Sequence, residues 1–150
     1  MKIKCGGLSR REGWVNIDKY QLEYTDIICD LDKFPYPFED NSIEAIECDN
    51  VIEHVLYPVD MLKEFERILK KGGTIKVVTS FYNHPRSYDD LSHQHYYNYD
   101  VMNTCLPRYK INLKIINEKI YYSRFALIRW KWLGRLIPNY ITFLEWTLQK

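Results

Sequence analysis

Four short apolar stretches crowd the first fifty residues, and the way each one ends constrains the fold more than anything else in the chain. Ile3–Cys5 runs into Gly6-Gly7, while Gly13–Asp18, Thr25–Asp30 and Ile43–Asp49 each close on an acid. Short runs of this kind, bounded by turn residues such as Pro35-Tyr36-Pro37 and Glu39-Asp40-Asn41-Ser42, read as strands. Pro58 then opens a helix at a position where its missing N–H costs little. Val59, Leu62, Phe65, Ile68 and Leu69 mark one face of that helix, and Gly72-Gly73 is expected to stop it. Thr74–Ser80 reads as a fifth strand, Tyr82–Tyr99 as a polar loop and Lys110–Asn117 as a sixth strand. Ala126–Ile137 has a helical pattern, and Tyr140–Leu148 alternates as a last strand. Strands separated by a helix, with long later connections, predict one α/β domain over residues 1–150 built on a Rossmann-like, doubly wound sheet of about seven strands. Such sheets bind ligands outside the carboxyl ends of their strands. Glycines at the first end and acids at the next ones are a layout for a nucleoside.

Charge narrows the function classes. The chain carries 21 Lys+Arg against 20 Asp+Glu, a net charge of +1, which excludes a generally polycationic nucleic-acid binder. The charge is unevenly spread: residues 1–102 sum to −6 and residues 103–150 to +7. Cys5, Cys29, Cys48 and Cys105 are scattered, without a C-x-x-C pair, as expected of a reduced, cytoplasmic chain. No signal-peptide pattern fits the N-terminus, and no apolar run approaches the ~18 residues of a membrane span.

The blocks Cys5-Gly6-Gly7…Gly13-Trp14-Val15-Asn16-Ile17-Asp18, Asp30-Leu31-Asp32-Lys33-Phe34-Pro35-Tyr36-Pro37-Phe38, Val51-Ile52-Glu53-His54-Val55…Pro58 and Arg67-Ile68-Leu69-Lys70-Lys71-Gly72-Gly73 come in an order and spacing that resemble the small class I S-adenosylmethionine-dependent methyltransferases of type 11. The resemblance runs from about Ile3 to Tyr99 and implies a last strand that is antiparallel. It implies S-adenosylmethionine as cofactor, with Cys5, Gly6 and Gly7 at the methionine moiety and Asp18 on the ribose hydroxyls. It also implies Asp30 and Leu31 at the adenine, and Asp49 and Asn50 beside the methyl path. A glycine there lets backbone approach the ligand closely, and an acid at the second strand end accepts from both ribose hydroxyls.

Two departures stand out. The family's first block reads G-x-G, and one of its glycines is absent here. Only Leu8–Glu12 and Lys19–Tyr24 connect the early strands, so the first helices are expected to be short or missing. A sheet face left without helices, if apolar, needs a partner, which leads to the expectation of a homodimer.

Methyl transfer asks for alignment and exclusion of water, and for a base only when the acceptor must lose a proton. His54, His93 and His95 are the candidate catalytic residues, with Tyr96 and Tyr97 in the same loop. His93 and His95, with His84 and Asp89 or Asp90, can be drawn as a metal site. Ligands confined to one loop favour a solvated segment instead, so no metal is expected. The segment Arg124–Arg135 mixes basic residues with Trp130 and Trp132. It reads either as the solvated face of a helix or as a nucleic-acid contact in a methyltransferase-fold binding module without turnover.

Overall fold

The computed structural model describes residues 1–6, 9–124, 126 and 129–150. Gly7 and Leu8 lie outside the described residues, as do Phe125, Leu127 and Ile128. The chain forms β1 (Lys2–Cys5), β2 (Val15–Asp18), β3 (Ile27–Ile28), β4 (Ile43–Asp49), α1 (Pro58–Ile68), β5 (Leu69–Ser80), α2 (Val101–Arg108), β6 (Lys114–Tyr122), α3 (Leu133–Leu136) and β7 (Ile141–Gln149). The seven strands make one sheet in the order β3-β2-β1-β4-β5-β7-β6. The first five strands are parallel, and β7 runs antiparallel to both β5 and β6. This is the Rossmann-like α/β architecture expected, including the reversed last strand.

Register explains the core. Cys5 pairs with Ile17 and Cys48, Cys48 with Val77, and Val77 with Trp146, so these five side chains form one row across the sheet. Ile3, Ile46, Ile75 and Leu148 form the next row. All nine are buried, together with Met61, Leu62, Phe65 and Ile68 of α1 and Met102 and Leu106 of α2. Helical spacing on α1 and period-two alternation on the strands thus bring their apolar sides into a common core.

The other sheet face has a different chemistry. Lys4, Glu47 and Lys76 stand side by side across β1, β4 and β5, with Thr147 next in the row. Glu47 accepts from Arg11 at 2.8 Å, and Lys76 lies 3.6 Å from Glu145. Tyr121 donates to the same Glu145 at 2.7 Å. Among the described residues no helix joins β1 to β2, β2 to β3 or β3 to β4. On β2 the work of a covering helix is done by Asn16, which is 2% exposed. Its Nδ2 donates to the carbonyls of Ser9 and Tyr24, tying both short connections down, while its own N–H donates to Asp26. The homodimer expectation rested on an apolar open face. The face carries alternating charges instead, and that reason falls away.

Three local expectations are corrected. α1 ends at Ile68, before Gly72, because Leu69 turns extended and pairs with Ile43. The Lys150 ammonium donates to the carbonyls of Arg67 and Leu69, satisfying the helix end that the glycines were expected to cap. The sixth strand starts at Lys114, not Lys110: Lys110 has a positive φ of 55° just after α2, a helix not read from the sequence. The Ala126–Ile137 helix shrinks to the single turn Leu133–Leu136 within the described residues. Lys131 and Arg135 from this region are turned back onto the fold, Lys131 pairing with Glu118 and Arg135 with Asp100, and both lying over the Tyr99 ring.

Arg67 fastens α1 to the preceding loop. Its guanidinium donates to Glu64, to Asp40 and to the carbonyls of Tyr36 and Phe38. The bond from Arg67, followed by the backbone bond from Tyr36, holds the Glu64 carboxyl below its ordinary range. A carboxyl lowered by folding adds stability above its unfolded pKa, and that contribution is lost as pH falls through the folded value. Glu64→Gln is therefore expected to cost about 1 kcal/mol near neutrality and nearly nothing once the pH has fallen through the folded value, read from unfolding temperatures across pH.

Candidate functional site

The carboxyl ends of β1, β2 and β3 open onto a cavity of about 560 Å³, within the range of small-molecule sites. Its wall includes Gly6, Asp18, Asp30, Leu31, Asn50 and His54. Gly6 has a φ of 64° and its N–H donates to the Ile17 carbonyl. A Cβ on Gly6 would fall 2.7 Å from Cγ2 of Val51, another wall residue. Glycine is thus required twice over, by conformation and by space.

Asp18 ends β2 half-buried, and its Oδ1 accepts the Tyr20 N–H at 2.9 Å. That bond fixes the carboxylate with one oxygen committed to the turn. Asp30 accepts the Asp32 N–H and faces Lys33 at 3.4 Å. Leu31 follows it in the wall, half-buried against the core. Asp32 accepts the N–H groups of Leu56 and Tyr57 at 2.8 and 3.2 Å, clamping the loop after β3 to the loop before α1. Sequence reasoning assigned Asp32 no role; two consecutive N–H groups some 24 residues on leave no local signal.

Not every expected cofactor residue reaches this wall. The Cys5 side chain is 1% exposed and turned into the core against Cys48. Contact with the Cys48 thiol, then burial, raises its pKa well above the ordinary thiol value. Asp49 falls on the charged sheet face, exposed, accepting from the Asn50 side chain at 2.8 Å. Asn50 itself stands in the wall with a positive φ of 52°.

A second, smaller cavity of about 370 Å³ adjoins the first and shares Asn50 and His54 with it. Glu53, Ser80, Arg86, Asp89, Asp90 and His93 complete its polar wall. The rings of His54 and His93 meet edge-on with centroids 4.7 Å apart. His95, the third candidate, lines neither cavity, and its Nε2 lies 3.4 Å from the Leu56 carbonyl. His84 takes the Arg86 N–H at the start of the turn Pro85–Ser87. Glu53 received no sequence-based role, although its neighbour His54 did. Glu53 is 2% exposed.

Comparison with known proteins bears on this arrangement. A family model described as "Methyltransferase domain" matches residues 8–77. No curated protein matches the sequence. Among solved structures, an S-adenosylmethionine-dependent methyltransferase from Archaeoglobus fulgidus superposes with a TM-score of 0.71 at 11% identity, over 99% of this chain and 85% of that one. The phosphoethanolamine N-methyltransferase 2 of Haemonchus contortus, bound to phosphomonomethylethanolamine and S-adenosylhomocysteine, gives 0.67 at 13% identity, over 99% of this chain and 48% of that one. The [4+2]-cyclase SpnF gives 0.66 at 14% identity, over 99% of this chain and 74% of that one. At such identities the likeness is one of fold. No helix among the described residues is long and apolar enough to cross a membrane.

Proposed function

We propose that this chain, which has the class I methyltransferase fold and is matched as a methyltransferase domain over residues 8–77, binds S-adenosylmethionine in the larger cavity and transfers its methyl group to an acceptor in the smaller one. One observation carries the reading. A glycine turn, a strand-end carboxylate and an acidic-apolar pair meet at the ends of three adjacent parallel strands, and the cavity they line abuts a polar one. The cofactor supplies an activated sulfonium methyl when bound, so the protein's task is to align and to exclude water.

Each residue then has a task that its surroundings support. Gly6 lets the backbone come close to the methionine part, with Cys5 and Gly7 flanking it in sequence. Asp18 holds the ribose hydroxyls through the oxygen not used by Tyr20. Asp30 and Leu31 face the adenine, polar group and apolar edge respectively. Asn50 marks the junction where the methyl passes, with Asp49 supporting its side chain. His54 and His93 stand on the acceptor side, where the chemistry asks for a group that manages the acceptor's proton.

Titration calorimetry with S-adenosylhomocysteine tests this reading. Saturable binding with a Kd below about 1 mM is expected, corresponding to more than about 4 kcal/mol. No heat at that concentration would overturn the proposal and leave a methyltransferase-fold module without its cofactor, the outcome that the missing G-x-G glycine points toward.

A further inference from the structure

The acceptor-side cavity holds a feature that methyl transfer alone does not explain. Glu53 is 2% exposed, and its Oε2 is buried with no hydrogen-bond partner among the described residues. The Thr79 hydroxyl approaches the carboxyl, yet its Oγ1 reaches hydrogen-bond geometry with no group among the described residues. An ionised carboxylate in such a place is costly unless something positive meets it. His54 and His93 turn ring nitrogens toward it, and the buried Tyr97 lies near it with its hydroxyl donated to the Ile52 carbonyl.

The hydrogen bonds around these two imidazoles define which nitrogen is free. His93 Nδ1 lies 2.9 Å from the Ser87 carbonyl, which only accepts, so Nδ1 carries the proton and Nε2 a lone pair. His54 Nδ1 lies 2.9 Å from Ser92 Oγ. That hydroxyl donates its single proton to Asp90 Oδ1 at 2.6 Å, so His54 Nδ1 is again the donor and its Nε2 is free. A backbone carbonyl and a Ser–Asp relay thus orient the two rings as outer partners orient metal-bound histidines. One candidate ligand atom each from Glu53, His54 and His93 lies within 4.8 Å of the other two. Ligands at ~2.1 Å around one ion sit ~3–3.5 Å apart, so small side-chain rotations would close the set.

We propose that Glu53, His54 and His93 form a divalent-cation site with a coordination position open to the acceptor cavity. Two imidazoles and one carboxylate suit a borderline cation such as Zn²⁺ or Co²⁺, and not Mg²⁺ or Ca²⁺, which take oxygen-rich shells. The rigid second element that the His84–His95 loop lacks on its own is the turn Ile52–His54, which supplies two of the three ligands. The site stands on its own geometry, whereas its use in catalysis rests on the cofactor reading above. In that use the cation holds an acceptor hydroxyl oxygen and lowers its pKa. The hydroxyl proton passes to water. The oxygen's electron pair forms the new O–C bond as the S–C bond breaks, and the sulfur leaves as a neutral thioether.

The test uses the full chain without a histidine tag, stripped by a chelator and dialysed. Co²⁺ titration should produce a visible d–d absorption band that saturates at a single ion per chain, and Zn²⁺ should displace it. Glu53→Gln and His93→Ala should each weaken Zn²⁺ binding at least tenfold. Their affinity for S-adenosylhomocysteine, measured in parallel, should stay within about twofold of the parent, and that retained binding also shows that they fold. Zn²⁺ should raise the parent's unfolding temperature and leave those of the variants unchanged. Absence of a saturable Co²⁺ band, or equal Zn²⁺ affinity in parent and both variants, overturns the site. Metal binding in a parent that fails to bind S-adenosylhomocysteine upholds the site and removes only the cofactor reading.

Discussion

Asp18→Ala is expected to weaken S-adenosylhomocysteine binding by about 2–4 kcal/mol, roughly 30- to 700-fold in Kd, through loss of two charge-assisted hydrogen bonds to the ribose. The structure adds a complication and its remedy. Asp18 also accepts the Tyr20 N–H, so alanine removes a turn bond as well as the proposed ribose contact. Asp18→Asn separates the two. Its amide oxygen still accepts from Tyr20, while the charge on the free side is gone. Most of the loss seen with alanine should persist with asparagine, with an unchanged unfolding temperature. Calorimetry on both variants decides the matter. Parent-like affinity in either would mean that the ribose is held elsewhere.

Trp146→Ala should produce the largest stability loss, about 3–5 kcal/mol. Trp146 is fully buried at the end of the row that starts with Ile17 and Cys5. Its Nε1 has no hydrogen-bond partner among the described residues, so truncation orphans no acceptor there, and the loss measures packing. A domain of this size is typically stable by only ~5–15 kcal/mol, so the variant would sit near the edge of folding. Trp146→Phe, which keeps most of the volume, should lose well under half as much. Urea unfolding followed by far-ultraviolet circular dichroism gives both values. A loss below about 1 kcal/mol for alanine would mean that the row tolerates a cavity there.

Much of this molecule was legible from its residues because local and long-range demands agree. β4 runs from Ile43 to Asp49 and α1 starts at Pro58, both as read, since alternation, the proline and the apolar face all point the same way. The acids at Asp18 and Asp30 sit at the cavity for a comparable reason: parallel strands in register bring their ends to a common edge. What escaped depended on contacts far apart in the chain. α1 stops where Leu69 finds Ile43 and where Lys150 reaches the last carbonyls, and neither partner is a neighbour in sequence. Asp49 alternates onto the charged face, while Asn50, with its positive φ, turns back to the cavity. Glu53 was hidden by its apolar neighbours, because a buried carboxylate and a surface one look alike in a string of letters. His93 and His95 share a loop and both touch the turn that carries His54, but His93 meets it with its ring and His95 through its backbone N–H, which donates to the Glu53 carbonyl.

The row Lys4, Glu47 and Lys76, on the sheet face opposite the apolar core, also shapes how this protein responds to heat. The heat-capacity increase on unfolding grows with the apolar surface released and shrinks with the polar surface released. A sheet that hides hydrocarbon on one side and shows ammonium and carboxylate groups on the other releases comparatively little of the former. Its free-energy curve against temperature is accordingly broad and shallow, so what stability the single core provides varies slowly between cold and warmth.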